Sequence, residues 1–461
     1  MTLTKAAVGP IAVLASAALL AACGGGGSAD PASSGAQSAS PAARDLACTN
    51  TIVNTDAPQV SVWAWYPNFE LIVDQFNQTH DDVQVCWNNA GVNIDEYSKL
   101  FTAFEAGSGA PDVAMIETAI LPQFTLTGKL VNLSEHGAEA LADQYSQGVW
   151  EDVSGADGVY AIPKDGGPVG LLYRADIYEQ YGIEVPTTWE EFAQAGRDMK
   201  AAGYTGTFVN VPTNGKAFSD ALLATNEAVP YEYDSENPRE VVVNVDSPEV
   251  VEVLDYWNGL IDEGVAAYND RNTSEDNARL LNGEYANFIA AAWGPGYLMG
   301  LAEGGETQGQ WRAAPLPQWS EGDDTQVNWG GSTFAVTDQA PDAALAAQVA
   351  MELLGDEEQW RIGIEQSALF PLWKPALESE SFANQQYPFF GGQQINKEVF
   401  IPAAAGYEGF SATPFHTYVY DQWNDALFQM GEGEMSPEEA AKQVQESLTS
   451  YGESQGFDIK E

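Results

Sequence analysis

Aromatic and acidic side chains stand directly after two of the predicted strands, where they could hold a small ligand. Trp65 and Tyr66 follow an apolar strand that begins at Val60, and Glu117 ends a strand that begins at Asp112. Ligands of open α/β sheets bind beyond the carboxyl ends of the strands. Flat rings cover the apolar faces of a ligand, and carboxylates accept hydrogen bonds from its hydroxyl groups. These three side chains are therefore candidate contacts for a ligand that combines apolar faces with hydroxyl groups.

Most tryptophans pack in protein cores, so the 13 in this chain must be sorted by position. Trp329 is a further candidate because it precedes Gly330 and Gly331, where the backbone can approach a ligand closely. Glu117 has a plain alternative as an exposed loop carboxylate. The tryptophans inside predicted helices are expected to be core residues: Trp189, Trp257, Trp360 and Trp423.

Catalytic patterns are weak in this sequence. Glycosidases use a pair of carboxylates, but among 67 acidic residues such pairs arise by chance. The chain has no Gly-x-Ser-x-Gly elbow and no phosphate-binding loop, and the histidines His80, His136 and His416 are too scattered for a zinc site or a catalytic triad. We therefore expect no enzymatic activity, no metal and no cofactor, with a secreted carbohydrate-active hydrolase as the alternative.

An alternating pattern of strands and helices must position these residues. Apolar strands near 60–65, 83–87 and 110–116 are separated by 68–80 and 95–106, which carry apolar residues at helical spacing. This order predicts a parallel sheet with helices outside it, so the expected fold class is α/β. A capping box at Thr188 and Glu191 predicts the start of a helix. Further strands are predicted at 169–173, 288–293 and 332–336, and further helices at 250–263, 275–282, 343–354, 418–428 and 437–451.

The start of the chain has the pattern of a secretory signal. Lys5 is the sole charge within 1–22, and a small, apolar stretch ends in Leu20-Ala21-Ala22 before Cys23. A cysteine after Leu-Ala-Ala resembles a bacterial lipobox. We expect Cys23 to become the first mature residue and to carry lipid, with 23–45, rich in Gly, Ser, Ala and Pro, as a flexible tether to the membrane.

Length, charge and cysteine content limit the possibilities further. A chain of 461 residues exceeds the usual size of one hydrophobic core, which predicts two lobes. The formal net charge is −49, so nucleic acid and anionic lipid surfaces are poor partners, and a salt-rich habitat is left open. Cys48 and Cys86 remain once Cys23 carries lipid, and an oxidising extracytoplasmic location predicts a disulfide between them.

Several segments between roughly residues 58 and 425 resemble, in chain order, the family 1 extracellular solute-binding proteins of ABC importers. That family includes sugar-binding lipoproteins and maltose-binding-like proteins. The most similar segments are Leu172-Tyr-Arg-Ala-Asp-Ile-Tyr, Val185-Pro-Thr-Thr-Trp-Glu-Glu-Phe and Gly330-Gly-Ser-Thr-Phe-Ala-Val.

The resemblance implies a two-lobe, type II periplasmic-binding-protein-like fold, in which crossing strands form a hinge beside a ligand cleft. Lobe 1 is expected to comprise 46–164 and 328–370, and lobe 2 to comprise 165–327 and 371–461. The crossings are expected near 163–167, 318–327 and 370–373.

The resemblance also implies further ligand contacts. Asp165 stands at the first crossing, where the family often places a binding carboxylate, Trp293 stands where relatives carry a stacking tryptophan, and Trp373 stands by the third crossing. We expect a monomer, lipid-anchored to the outer face of the cytoplasmic membrane, that delivers a carbohydrate to the transmembrane subunits of an ABC permease. A polyamine or a metal ion is the alternative solute.

Overall fold

The computed structural model describes residues 46–211, 215–271, 273–302, 305 and 307–461. The signal segment 1–22, Cys23 and the tether 23–45 lie outside the described residues. No helix within the described ranges has the length and apolarity that crossing a bilayer requires.

The strands of the described residues are β1 (Gln59–Trp63), β2 (Gln84–Asn88), β3 (Val113–Glu117), β4 (Ser154–Gly155), β5 (Gly158–Val159), β6 (Ala161–Asp165), β7 (Val169–Arg174), β8 (Thr207–Asn210), β9 (Tyr231–Tyr233), β10 (Glu240–Val243), β11 (Ala266–Ala267), β12 (Tyr285–Ala291), β13 (Trp311–Pro315), β14 (Ser332–Val336) and β15 (Asp458–Lys460). The α-helices are α1 (Phe69–Thr79), α2 (Ile94–Ala106), α3 (Leu121–Thr125), α4 (Gln147–Glu151), α5 (Ala175–Tyr181), α6 (Trp189–Ala201), α7 (Gly215–Asp220), α8 (Pro248–Asp262), α9 (Ser274–Asn282), α10 (Gly294–Leu301), α11 (Ala343–Glu352), α12 (Glu357–Ser367), α13 (Lys374–Leu377), α14 (Glu380–Ala383), α15 (Ile401–Ala405), α16 (His416–Gly431) and α17 (Pro437–Gln455).

The first sheet has the strand order β2-β1-β3-β14-β6. β1, β2 and β3 run parallel, whereas β14 runs antiparallel to both β3 and β6, so the carboxyl ends of the other four strands share one edge. Helix α1 buries Phe69, Ile72, Val73 and Phe76 in the core of this sheet, because residues three and four positions apart share one face of a helix. The predicted alternation of strands and helices is confirmed here.

The second sheet has the strand order β11-β8-β12-β7-β13. β8, β11 and β12 run parallel, and β7 runs antiparallel to its neighbours β12 and β13. Successive residues of β12 point to opposite faces, so Ile289 enters one core and Phe288 another. The predicted capping box of Thr188 and Glu191 is confirmed at the start of α6. Strands β9, β10 and β15 form a separate small sheet.

The four tryptophans in helices are core residues, as predicted, and are at most 2% exposed: Trp189, Trp257, Trp360 and Trp423.

The strand predicted at 288–293 was too long at its end. Strand β12 ends at Ala291 rather than at residue 293, and α10 begins at Gly294. Trp293 therefore lies in the turn between a strand and a helix.

Three chain segments run side by side between the two sheets, at 164–169, 327–331 and 370–372. The backbone N–H of Gly166 donates to the carbonyl of Phe370 at 3.0 Å, and the N–H of Leu372 donates to the carbonyl of Lys164 at 3.1 Å. Crossings between lobes are expected in this region, and the residue ranges assigned to each lobe stay a prediction.

Gly167 permits the closest approach among these segments. The N–H of Trp329 donates to the carbonyl of Gly167 at 2.8 Å, and the N–H of Gly167 donates to Oδ1 of Asn328 at 2.8 Å. A Cβ atom on residue 167 would lie 2.1 Å from the carbonyl oxygen of Trp329, so a larger residue would push the two backbones apart. Glycine at this position keeps two of the segments in contact.

The predicted disulfide between Cys48 and Cys86 is confirmed, with a Cα–Cα distance of 4.9 Å. Cys86 lies in the middle of β2. The N–H and the hydroxyl of Thr49 each donate to the carbonyl of Trp87 at 2.9 Å, and Oδ1 of Asn50 accepts from the N–H of Trp87 at 2.7 Å. The disulfide thus fastens the segment before β1 along the outer edge of the first sheet.

Candidate functional site

Two carboxylates share one edge of the first sheet. Glu117 is the last residue of β3 and Asp165 is the last residue of β6. Both pair with Ser332, the first residue of β14, which lies between them. From this edge the chain crosses to β7 of the second sheet, so the two acids stand beyond strand ends where α/β sheets bind ligands.

Tyr66 completes the surroundings of Asp165. Its hydroxyl donates to Oδ1 of Asp165 at 2.6 Å. Burial raises the pKa of Asp165 to about 6, and the charge of Glu117 also raises this pKa. Hydrogen bonds from Tyr66 and Ser332 lower it and offset part of the effect. Burial and the carboxylate of Asp165 hold the pKa of Tyr66 well above its ordinary value. At neutral pH, Asp165 is therefore mainly an ionised acceptor and Tyr66 a neutral donor.

Glu117 is held by an aromatic neighbour. The hydroxyl of Tyr97 donates to Oε2 of Glu117 at 3.0 Å and accepts from the N–H of Glu117 at 3.0 Å. Burial, followed by the charge of Glu117, raises the pKa of Tyr97. The ring of Trp65 contacts the ring of Tyr97 edge-on, with 5.7 Å between centroids, and is partly exposed. Trp65 is thus linked to Glu117 through Tyr97, and its contact with a ligand stays a prediction.

Lys216 approaches Glu117 from the second sheet. It lies in α7, which follows β8 and packs into a core of the second sheet through Ala217 and Phe218. Its Nζ forms an ion pair with Oε1 of Glu117, and 20% and 11% of the two side chains are exposed. An anion at the edge of one sheet therefore meets a cation carried by the other.

Asp220 ends the same helix and is buried in a polar network. The hydroxyl of Tyr420 donates to Oδ2 of Asp220 at 2.8 Å, and Nε2 of His416 lies 3.1 Å from Oδ1. Burial raises the pKa of Tyr420, and the charges of Asp220 and Glu117 raise it further. This network lies at the end of the helix that carries Lys216, the ion-pair partner of Glu117.

Trp293 and Trp329 form an aromatic pair on the second-sheet side. Their rings meet edge-on with 5.0 Å between centroids, and Nε1 of Trp293 donates to the carbonyl of Trp329 at 3.4 Å. Trp329 is 6% exposed, and the guanidinium of Arg271 lies 5.4 Å from its ring centre. Trp293 is partly exposed. Trp329 thus supports Trp293, which offers the more accessible ring.

The aromatic pair is tied to the carboxylates through the backbone. Trp329 bonds to Gly167, which stands two residues after Asp165. The contacts therefore link six of the predicted residues into one region that contains aromatic rings, carboxylates and a hydroxyl group: Trp65, Tyr66, Glu117, Asp165, Trp293 and Trp329. Such a set can bind a ligand that combines apolar ring faces with hydroxyl groups.

A model of the family described as bacterial extracellular solute-binding protein matches residues 65–360. The chain belongs to this family. Among curated proteins, the solute-binding protein is similar to an arabinooligosaccharide-binding protein of Halalkalibacterium halodurans, at 25% identity over 76% of this chain and 79% of that protein. It is also similar to a lactose-binding protein of Rhizobium radiobacter, at 23% identity over 74% of this chain and 80% of that protein.

Two solved structures are similar to the solute-binding protein over nearly its whole described length. One is the ABC transporter associated binding protein from B. animalis subsp. lactis in complex with β-1,6-galactobiose, with a TM-score of 0.77 and 28% identity over 88% of this chain and 100% of that one. The other is the galacto-N-biose-/lacto-N-biose I-binding protein from Bifidobacterium longum in complex with lacto-N-biose, with a TM-score of 0.77 and 23% identity over 88% and 99%. The expected type II periplasmic-binding-protein-like fold with two lobes is confirmed.

Trp373 of this solute-binding protein contacts a different set of residues. Its indole Nε1 donates to Oε1 of Gln144 at 2.5 Å, and its ring packs against the core of the first sheet. Leu372 and Lys374 on either side bond to the carbonyls of Lys164 and Asp143. The contacts of Trp373 therefore anchor the third crossing segment to the first sheet.

Three polar residues of the site were not predicted from the sequence: Tyr97, Lys216 and Tyr420. Tyr97 and Tyr420 lie within helices, where their spacing indicates packing positions. Lys216 follows β8 by a few residues, and the strand-end rule would have selected it had β8 been predicted.

His416 resembles part of a catalytic triad but lacks its geometry. Ser219 and Asp220 both approach Nε2 of His416, at 3.3 and 3.1 Å, while Nδ1 accepts from the N–H of Thr413 at 3.3 Å. In a triad the acid and the nucleophile bind opposite ring nitrogens. His416 and Ser219 are also fully buried, so no substrate reaches them. Across the described ranges, no three or more His, Cys, Asp or Glu residues are grouped to hold a metal ion.

Proposed function

We propose that this protein is the extracytoplasmic solute-binding subunit of an ABC importer, which captures an oligosaccharide and delivers it to the membrane permease. The observation that carries the proposal is the pair of strand-end carboxylates, Glu117 and Asp165, flanked by the partly exposed rings of Trp65 and Trp293. Carboxylates match sugar hydroxyl groups, and indole rings match the apolar faces of pyranose or furanose rings.

The relatives support a neutral carbohydrate as the ligand. The similar curated proteins are named for arabino-oligosaccharide and lactose binding, and the two similar structures contain β-1,6-galactobiose and lacto-N-biose. All of these ligands contain more than one sugar unit. A region that combines two rings with two carboxylates offers contacts to more than one such unit.

The proposed division of labour follows the geometry. The rings of Trp65 and Trp293 cover sugar faces, and Glu117 and Asp165 accept hydrogen bonds from hydroxyl groups. Tyr66 orients Asp165 at 2.6 Å. Trp329 supports Trp293, and Trp373 holds the third crossing segment in place.

The proposed mechanism is hinge closure around the ligand, with no covalent chemistry. Lobe 1 is assigned to 46–164 and 328–370 and lobe 2 to 165–327 and 371–461. The closely spaced segments around Gly167 act as the hinge, because a few residues there can absorb the rotation. We assign the protein a monomeric state, since binding requires a single pair of lobes.

A ligand screen tests the function. The full-length protein in mild detergent is heated with arabino-oligosaccharides, lactose, β-1,6-galactobiose, lacto-N-biose, spermidine and divalent cations, one at a time. A bound sugar raises the melting temperature, because a ligand at ~100 times its Kd adds about 2.7 kcal/mol to the free energy of unfolding. Stabilisation by spermidine or a cation alone would contradict the carbohydrate assignment, and new reducing ends after incubation would favour the hydrolase.

We also propose that Cys23 carries the lipid that anchors the protein. Cys23 follows Leu20-Ala21-Ala22 and precedes a Gly-rich segment. The Cys23→Ala variant is expected in the medium instead of the membrane fraction, because the acyl chains proposed on Cys23 are the membrane attachment and alanine cannot carry them. Immunoblots of the two fractions measure this, with Ser28→Ala in the same segment as the control that stays with the membrane. Full membrane retention of Cys23→Ala would refute the anchor.

A further inference from the structure

The segment between β2 and α2 exposes two apolar side chains at the edge of the first sheet that carries the candidate site. Val92 is 51% exposed and Ile94 is 58% exposed. Among the described residues, eight large hydrophobic side chains are exposed, and these are the only two of the eight that lie close together in the chain. Single exposed hydrophobic residues are ordinary, whereas neighbouring ones can mark a binding surface.

The first sheet arranges this segment and the candidate residues in a row. Asp165 ends β6, Glu117 ends β3, Trp65 follows β1, and Val92 and Ile94 follow β2, which is the outermost strand. Neighbouring strands lie ~4.8 Å apart, so the four steps from β6 to β2 span about 19 Å. A row of this length exceeds a disaccharide and matches an oligosaccharide chain of three or more units.

Helix α2 joins the segment to the site residues. Ile94 is the first residue of α2 and stands three positions before Tyr97, so the two side chains share one face of the helix. The ring of Tyr97 contacts the ring of Trp65 with 5.7 Å between centroids, and its hydroxyl donates to Glu117 at 3.0 Å. Ile94 therefore lies one helical turn from the residue that contacts both Trp65 and Glu117.

The backbone of the segment is held in an unfavourable conformation. Asn93 has φ 50° and ψ −119°, and its side chain does not cap α2, although asparagine is a good capping residue. Gly91 has φ 142°, and a Cβ atom at this position would lie 2.8 Å from Cβ of Asp95. The ammonium of Lys99 donates to the carbonyl of Ala90 and fastens the segment to α2. Strained backbones persist where the surrounding structure fixes them, commonly at ligand-binding sites.

Apolar and polar side chains alternate along the segment. Val92 and Ile94 alternate with Asn93 and Asp95, and all four are exposed. Aliphatic side chains can cover the C–H face of a sugar ring, while an amide and a carboxylate can bind its hydroxyl groups. A purely apolar partner would cover Asn93 and Asp95 without offering them hydrogen bonds. The composition therefore fits a further sugar unit.

We propose that residues 92–95 form an outer subsite, which holds a third sugar unit in line with the units at Trp65, Glu117 and Asp165. The protein thereby selects linear oligosaccharides of three or more units over disaccharides. The subsite rests on the proposed function, because Trp65 and Glu117 must hold the inner units. It uses only residues at strand ends of the first sheet, so it does not depend on how far the lobes are closed.

Calorimetry with two series of sugars tests the subsite in the full-length protein in mild detergent. One series is arabinobiose, arabinotriose and arabinotetraose, and the other is β-1,6-galactobiose and β-1,6-galactotriose. In the series that binds, the wild type is expected to bind the trisaccharide about fivefold more tightly than the disaccharide, because the third unit covers aliphatic surface. The double variant Val92→Ser with Ile94→Ser is expected to lose this gain and to keep the wild-type affinity for the disaccharide.

Two further variants are the controls. Val53 is 53% exposed, and its N–H donates to the side chain of Gln84 at the opposite end of β2. Val53→Ser is therefore expected to leave every affinity unchanged. Ile94→Leu retains the aliphatic surface and is expected to retain the preference for the trisaccharide. Circular dichroism checks that each variant is folded.

Methyl NMR reports the contact in the protein without a substitution in the subsite. The Cδ1 methyl signal of Ile94 is assigned by its absence from the spectrum of Ile94→Leu. This signal is expected to shift when the trisaccharide binds and to stay in place when the disaccharide binds. A signal that stays in place with both sugars would overturn the subsite.

The affinities separate failure of the subsite from failure of the proposed function. Equal binding of disaccharide and trisaccharide by the wild type, or wild-type affinity of the double variant for the trisaccharide, would overturn the subsite alone. An equal loss for both lengths would place residues 92–95 at an inner unit and would also overturn it. Binding of lactose or lacto-N-biose and of neither series would overturn the selection for longer sugars. Absence of binding by every sugar would overturn the proposed function, and the subsite with it.

Discussion

Replacing Trp293 by alanine is expected to weaken sugar binding by about 2 kcal/mol or more, roughly thirtyfold in Kd. Trp293 is partly exposed in the turn between β12 and α10, and its edge rests on Trp329 with 5.0 Å between ring centroids. A large, rigid ring in this position can lie against a sugar face with little loss of side-chain entropy. Calorimetry with the sugar that stabilises the wild type most in the ligand screen measures the change.

Two further variants separate binding from folding. Trp319→Ala removes another partly exposed tryptophan from the same lobe, and its indole donates to Thr225 away from the carboxylates, so binding is expected to persist. Trp293→Phe retains a flat ring and is expected to recover part of the affinity. Wild-type affinity of Trp293→Ala would remove this residue from the site, whereas loss of folded structure by circular dichroism would indicate a packing role.

Removing the disulfide by Cys48→Ser together with Cys86→Ser is expected to lower the free energy of unfolding by about 4 kcal/mol. The two residues are 38 positions apart, so their link restricts a long loop in the unfolded chain. In the folded protein the same link holds Thr49 and Asn50 against the edge strand β2. Urea denaturation measures the change as a lower midpoint.

Reduction provides the matched control for this prediction. A thiol reductant is expected to lower the midpoint of the wild type to that of the double variant and to leave the double variant unchanged. A loss below about 1 kcal/mol would show that the hydrogen bonds of the edge segment suffice without the covalent link.

Local patterns predicted much of the fold because their causes are local. The apolar spacing of α1 and the capping box at Thr188 depend on residues within one or two helical turns, and both are found as expected. Element ends were less accurate. The apolar run into Trp293 extended the predicted strand β12 past Ala291, because hydrophobicity alone does not distinguish a strand end from the turn that follows.

The candidate site was predictable where it depends on strand ends. Glu117 and Trp65 follow from that rule, and Asp165 and Trp293 follow from the family resemblance. The ion pair of Glu117 with Lys216 was not predictable, since 99 positions separate the partners and their meeting depends on how two sheets face each other. The hydrogen bond between Trp373 and Gln144 was not predictable for the same reason, since 229 positions separate the two residues.

The place of β14 has a consequence for how the molecule is assembled. This strand lies between β3 and β6 and contacts both, yet it follows them in the chain after the whole second sheet, whose strands all fall between Val169 and Pro315. As the polypeptide emerges from the ribosome or the export channel, the second sheet can be completed before Ser332 appears. Until then β3 and β6 each expose an unpaired edge, which is a template for aggregation. A chaperone that shields exposed strand edges would act on the first sheet during that interval.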